Sequence, residues 1–407
     1  MGSGRWWGLV VIGAVVAVVA SGASQKKHDP LVSRIAFGSC SDQSHPQPIW
    51  NALINFDPQV FIWLGDNIYG DIKRPFKVFG KERTFGPWKN APRFVPSSSQ
   101  EMEFKYKKAR TNPGYSRLRE RTKVIGTWDD HDYGLNDAGK EFSGKINNQR
   151  LLLDFLDEPQ DSPRRKQDGV YASYTFGPVG RQVKVISNLS AATGPLFSFE
   201  SWGRFPKERD HLFKLIADSK RDGVFFISGD VHFGEITRYD CATGYPLYDI
   251  TSSGLTKAVE ETVPPALHRI IRFVARLTPS PLRVMDQNCR YSSCTYGQPN
   301  FGAIEIDWDA TPMTLKIEVR DVNGLTVSGV KMSLLELQVG SLDPVATAKA
   351  GEHRRHCSLE VDLPWLVRYR LAILFYSAVA ICLLALIGFT YAAISIVGRC
   401  LRKHKYD

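Results

Sequence analysis

Val60-Phe61-Ile62-Trp63-Leu64-Gly65-Asp66-Asn67-Ile68-Tyr69 is a short apolar run that stops on a glycine and a carboxylate. Its apolar part has strand length and no helical period, so it reads as a buried strand. The same grammar recurs three times. Ile35-Ala36-Phe37 stops on Gly38-Ser39-Cys40, Val124-Ile125 leads into Trp128-Asp129-Asp130-His131, and Val224 to Ile227 leads into Gly229-Asp230-Val231-His232. Potential metal ligands therefore follow the ends of four separate strands, where sites collect in open α/β sheets.

Helices fall between these strands. Ile49 to Phe56 is stopped by Asp57-Pro58, and Asn147 to Asp157 ends near Pro159. Pro206 to Ser219 carries a stripe of Leu212, Leu215 and Ile216 before Gly223. Ala303 to Trp308 and Met313 to Val319 read as a late hairpin. The alternation predicts a mixed α/β architecture. Gly70 to Ser99 mixes basic and aromatic residues without periodicity. Because it follows a ligand-bearing turn, it reads as a substrate lid, with a solvated insertion as the alternative.

Singly, the four clusters are weak signals: a cysteine beside a strand is usually packed, and an aspartate in a turn is ordinary. Together they form a donor set. Cys40 offers a thiolate for a transition metal. Asp66, in a tight glycine turn, offers a carboxylate that can bridge two cations. Tyr69, three residues on, offers a phenolate suited to a ferric ion. The crowded carboxylates of Trp128 to Asp137 repel one another unless a cation or hydrogen bonds offset the charge, so some must turn away and cap the next segment. Asn136 can coordinate through its amide oxygen. His131, with Asp130 beside it, can protonate a leaving alkoxide or bind a phosphate oxygen. Asp230 and His232 lie two apart and face the same way in an extended segment. This mixture suits two unlike cations, one ferric-type and one hard and oxygen-bound. Two close cations can polarise a phosphoryl group and activate water. No glycine-rich phosphate loop or Gly-x-Ser-x-Gly elbow competes.

In this order, Gly38-Ser39-Cys40, Gly65-Asp66-Asn67-Ile68-Tyr69, Trp128-Asp129-Asp130-His131-Asp132 and Ser228-Gly229-Asp230-Val231-His232 resemble the PhoD-like alkaline phosphatases of the calcineurin-like metallophosphoesterase superfamily. The resemblance runs from about Arg34 to about Trp308. It implies a metallophosphoesterase-type two-sheet α/β sandwich flanked by helices, with phosphomonoesterase or phosphodiesterase activity. It implies an Fe3+ and Ca2+ site, other divalent metals being the alternative, with Cys40, Asp66 and Tyr69 on the iron side. Asn136, Asp230 and His232 are further ligands by the same likeness, their division between the metals open. Purple acid phosphatases share the Gly-Asp-x-x-Tyr element but place an Asp and a His where this chain has Cys40.

One departure stands out. Family members continue the strand seen here as Val183-Lys184-Val185-Ile186 through a Leu-Asp-Thr-Arg-like segment, a helix and another strand before a stretch like Ser187-Asn188-Leu189-Ser190. Here Ile186 runs straight into Ser187. The resemblance then implies a lost crossover, an unfilled sheet position and no arginine near the phosphate. A catalytically impaired, membrane-tethered binding protein is the resulting alternative function.

The chain has 407 residues, 43% of them hydrophobic, enough for one large domain once its ends are trimmed. A net charge of +10 favours an anionic partner, a phosphate ester or an acidic membrane, or else a basic solvated surface. With no long Lys/Arg run or nucleic-acid motif, no nucleic-acid scaffold role is expected. Arg5, the apolar run Leu9 to Ala20 and the small residues Ser21 to Ala23 form a signal-peptide layout over 1–23, with an uncleaved anchor as the runner-up. Residues 24–340 form the body and 341–370 a juxtamembrane stalk. Residues 371–397, without a charge, form a single transmembrane helix. The tail 398–407 carries Arg399, Arg402, Lys403 and Lys405, as expected of a cytoplasmic end. This arrangement puts the body on the lumenal or extracellular side of a secretory-pathway or plasma membrane. Cys241, Cys289, Cys294 and Cys357 can pair there, though spacing leaves open both the connectivity and whether Cys289 and Cys294 form a small ring. Asn188-Leu189-Ser190 is a glycosylation sequon. Oligomeric state is not readable.

Overall fold

The computed structural model describes residues 14–19, 30–74, 94–187, 205–278, 280–342, 356–358 and 363–403. The sequon and most of the expected lid lie outside them. The strands are β1 (Ala14–Val19), β2 (Arg34–Gly38), β3 (Val60–Leu64), β4 (Ile72–Lys73), β5 (Phe94–Val95), β6 (Lys123–Thr127), β7 (Ala172–Phe176), β8 (Gln182–Ser187), β9 (Val224–Ser228), β10 (Gly234–Tyr239), β11 (Leu247–Ser252), β12 (Asn300–Asp307), β13 (Thr314–Asp321) and β14 (Thr326–Ser333). The helices are α1 (Ile49–Phe56), α2 (Ser99–Arg110), α3 (Pro113–Arg119), α4 (Asp130–Tyr133), α5 (Lys145–Phe155), α6 (Pro206–Ser219), α7 (His268–Leu277), α8 (Trp365–Arg368) and α9 (Arg370–Lys403).

Two six-stranded sheets result, ordered β14-β13-β12-β2-β3-β6 and β10-β11-β9-β1-β8-β7. Within the first, β2, β3 and β6 run parallel; in the second, β9 and β11 do. One apolar core lies between the sheets, joining Phe37, Ile62 and Ile317 to Val185, Phe226 and Ile250. A second joins the outer face of the first sheet to the helices through Trp50, Phe61, Trp63, Tyr115 and Phe155. Strand β3 explains its own sequence: Ile62 and Leu64 enter one core, Phe61 and Trp63 the other. A strand buried on both faces has no polar side to alternate with.

The expected α1 and α6 match the observed limits, and β12–β13 form the expected antiparallel pair. The buried face of α6 is different, however. Arg209, Phe213 and Ile216 are buried, while Leu215 is exposed, because the helix turns its 209/213/216 edge inward. Lys145, rather than Asn147, begins α5. The stretch read as lid ends earlier than expected, since Phe94–Val95 pairs with Ile72–Lys73 and Ser98 opens α2 through a capping box with Glu101.

The N-terminal run has a place in this architecture. Strand β1 lies inside the second sheet, antiparallel to β8 on one side and to β9 on the other. No position is open between β8 and β9, because residues from the expected leader occupy it. Removing 1–23 would take a central strand with it and leave two rows of backbone groups unpaired. At the other end, Cys357 of the expected stalk is disulfide-bonded to Cys241, and His356 accepts the Asp240 amide at 3.2 Å, so this part of the stalk packs on the body. A second disulfide joins Cys289 and Cys294. Among the described residues one helix, over Arg370–Ile396, is long and apolar enough to cross a bilayer.

Val16 pairs with both Val185 and Phe225. The Val16→Pro variant deletes an amide in the middle of a sheet. Purified in parallel, it is expected to unfold at a lower urea concentration than the unmodified chain. Removal of 1–23 would instead make the two purified proteins identical.

Candidate metal centre

The ligand candidates follow the ends of β2, β3 and β6, which are parallel in one sheet, and of β9, which is parallel to β11 in the other. Cys40 follows β2, Asp66 follows β3, Asp129 to His131 follow β6, and Asp230 and His232 follow β9. A fifth strand end, Ser253 after β11, joins them. The turns are tight. Cys40, Asp66, Asp230 and His232 all adopt left-handed backbone conformations, with φ of 58°, 49°, 71° and 62°. Each such residue costs on the order of 1 kcal/mol or more, and clusters of them mark functional sites. Gly65, at φ 101°, and Gly229 allow the close approach. A Cβ on Gly65 would fall 2.5 Å from the Asp129 Cβ, and one on Gly229 would fall 2.6 Å from Ser39 Oγ.

Cys40 Sγ lies 3.6 Å from Asp66 Oδ2, 3.1 Å from Ser253 Oγ and 3.5 Å from the Asp230 carbonyl oxygen. Burial, reinforced by the charge of Asp230, pushes this thiol up to about 11. Asp66 is fully buried, and its Oδ1 has no hydrogen-bond partner. Burial raises its carboxyl well above the ordinary range, against the opposing pull of His131. The Tyr69 hydroxyl is buried without a partner at ordinary hydrogen-bond distance. Burial, and then the neighbouring charges of Asp66 and Cys40, push its pKa up. Asp129 Oδ2 is a third orphan, and its carboxyl is raised by burial and by Asp230, Asp66, Asp130 and Asp132.

His131 sits among these groups. Its Nδ1 is 2.8 Å from Asp71 Oδ1, and its ring lies 4.3 Å from that of Tyr69. Burial opposes its protonation, but the charge of Asp66 and the hydrogen bond to Asp71 lift it to about 9. Donor atoms of Asp66, Asp130 and His131 all lie within 4.8 Å of one another. Asp130 also accepts the Asp137 amide at 2.8 Å. His232 Nδ1 faces the Lys257 carbonyl oxygen, which directs Nε2 away as the available ligand nitrogen. Burial lowers the pKa of this imidazole, favouring the neutral form that metals need.

Asn136 enters through its backbone: its amide donates to Asp71 Oδ2 at 3.0 Å. Asp132 turns away, as expected of part of the cluster. It accepts the Asp129 amide at 2.6 Å and the Asn67 side chain at 2.6 Å, closing the turn. Sequence reading missed Asp71, Ser253 and Lys257. Asp71, two residues past Tyr69, holds both His131 and Asn136; Lys257 places its ammonium 3.3 Å from the Tyr69 ring centroid. Ser253 follows β11, Leu247-Tyr248-Asp249-Ile250-Thr251-Ser252, whose Asp249 and Thr251 break the apolar signal that marked the other clusters.

Residues 35–190 match the family model described as PhoD-like phosphatase. A solved chain titled "Structure of PhoD" is similar with a TM-score of 0.44 and 14% identity, covering 81% of this chain and 77% of that one. No curated protein matches the chain. The matched stretch contains Cys40, Asp66, Tyr69, Asp130, His131 and Asn136; Asp230 and His232 lie beyond it.

The orphaned oxygens test whether a cation fits. Buried polar atoms are nearly always hydrogen-bonded, yet Asp66, Tyr69 and Asp129 each keep one unpartnered oxygen at the same strand ends. Carboxylates so crowded are stable as anions only beside positive charge. In chelator-treated protein at neutral pH, Asp66→Asn is therefore expected to raise stability by about 1 kcal/mol, read from urea unfolding. A carboxyl raised in the folded state costs stability above its unfolded pKa. The gain should accordingly vanish below about pH 4, where it is protonated in both states.

Proposed function

We propose that the chain is a membrane-anchored, metal-dependent hydrolase of phosphate esters with two metal ions in its site. The observation that carries this is the meeting of Asp66, Asp130 and His131 within 4.8 Å, beside the Cys40 thiol, at the ends of parallel strands. Cys40, Asp66 and Tyr69 would hold a ferric ion; Asn136, Asp230 and His232 complete the ligands of a pair whose second member is a hard cation such as Ca2+. When bound, such ions supply charge stabilisation to the phosphoryl group and an activated water. His131, with its proton held by Asp66 and Asp71, is the acid for the leaving oxygen, and Asp130 orients it.

The body sits on the oxidising side of a secretory-pathway or plasma membrane, a reading supported by its two disulfides. The basic tail after Arg370–Ile396 lies on the cytoplasmic side. The N-terminal run serves as a targeting segment that stays in the fold as β1, as its pairing on both edges favours. A second reading, a tethered binder of phosphate esters without turnover, draws on the segment absent after Ile186 and its arginine. Lys257, with its ammonium over the Tyr69 ring, offers a cation at the same place.

Release of nitrophenol from mono- and bis-nitrophenyl phosphate by metal-replete full-length protein tests the reading. Asp66→Ala with His232→Ala should abolish release, and Asp71→Asn should lower kcat about 10- to 100-fold by loosening His131. Turnover that survives the double substitution would sink the hydrolase mechanism, whereas tight binding without turnover in the unmodified chain would favour the binder.

A further inference from the structure

Helix α7, His268-Arg269-Ile270-Ile271-Arg272-Phe273-Val274-Ala275-Arg276-Leu277, buries none of its residues. Ile270, Phe273, Val274 and Leu277 recur at i, i+3, i+4 and i+7 and share one face. Ile270 is 57% exposed, Phe273 59% and Val274 42%. Ten residues make a marginal helix in water on their own, and this one turns its best packing surface outward. The opposite side is the one fixed to the body: Arg272 donates to Glu260 at 3.0 and 2.6 Å and lies 4.3 Å from the Tyr291 ring centroid. The helix contains three arginines and no carboxylate, with Arg269 and Arg276 exposed beside the apolar face.

Its position says what covers that face. The Arg370 side chain, at the first residue of α9, donates to the carbonyl oxygen of Leu277, the last residue of α7. The end of α7 thus meets the start of the apolar span. Trp365 and Leu366, just before it, are 64% and 68% exposed, and Trp365 packs on Tyr369. Tryptophan and tyrosine at this depth belong to the membrane–water interface. A short cationic helix with Ile and Phe on its other face suits the same plane.

We propose that α7 is an interfacial helix that seats the body on the bilayer, its Ile270/Phe273/Val274 face in the acyl–headgroup boundary and Arg269 and Arg276 among anionic headgroups. This rests on the reading of α9 as a span. It also fixes the orientation of the metal centre to the membrane. Arg272 holds Glu260, the Val259 amide donates to the His232 carbonyl at 2.8 Å, and His232 Nδ1 faces the Lys257 carbonyl. The Arg272–Glu260 pair therefore ties the docked helix to the segment that is hydrogen-bonded to the His232 loop.

The test uses full-length protein reconstituted in vesicles of mixed phosphatidylcholine and phosphatidylserine. An environment-sensitive fluorophore is placed at Phe273→Cys in a Cys382→Ser, Cys400→Ser background, or separately at the exposed Cys382 in a Cys400→Ser background. Acyl-brominated lipid should quench both probes, position 273 by about twofold, and Arg269→Glu with Arg276→Glu should relieve quenching at 273 alone. Quenching at Cys382 without any at 273 would overturn the docking and leave the span intact. Quenching at neither would refute the span and the docking together. Probe changes at 273 that follow protein concentration rather than brominated lipid would assign the face to a second copy of the chain and also overturn the proposal.

Discussion

Negative charge crowded where water is scarce is the constraint on which this structure turns. Four strand ends from two sheets deliver Cys40, Asp66, Asp129, Asp130, Asp230 and His232 to one place, and burial penalises the charged forms of the thiol and the carboxylates of Asp66, Asp129 and Asp130. A core built for stability alone would place apolar groups there. The strained turns at Cys40, Asp66, Asp230 and His232 add to the cost. What the arrangement gains is a rigid, prearranged donor set, because each of these residues sits two to four positions beyond a strand anchored in the core. Asp71, Ser253 and the Lys257 carbonyl hold those candidates in position, and such supporting groups set both ligand orientation and basicity.

The second sheet shows how two strands can be completed by a segment distant in sequence. Strand β8 ends at Ser187, and the apolar strand β1, from near the N-terminus, lies antiparallel along it. The demand is a backbone one: β8 and β9 each need a partner along a full edge, and any extended apolar segment of about six residues can satisfy both. Strand β9 carries Asp230 and His232 beyond its end, so β1 supports the strand that brings these two ligand candidates to the site.

Much of this was legible because burial on both faces leaves a plain signature. Val60 to Leu64 and Val224 to Ile227 are apolar at every position, and the polar residues that interrupt them are the ones that meet at the site. The composition of 9–20 could not distinguish a leader from a central strand, since both are short uncharged apolar runs. The outward face of α7 was equally hidden, because an amphipathic pattern says nothing about which side meets the body. Asp71 escaped notice for a third reason: its partner His131 is 60 residues away, and only the closed turn between β3 and β6 makes them neighbours. Ser98 and Glu101 spelled a capping box in plain sequence, but inside a stretch whose aromatic and basic residues suggested a loop.

The central claim is that these strand ends form a metal site, and elemental analysis of the full-length protein, purified folded from an oxidising host without chelator, tests it most directly. The account predicts near-stoichiometric iron together with a second cation. A folded, disulfide-bonded protein that binds no metal even when resupplied would contradict it.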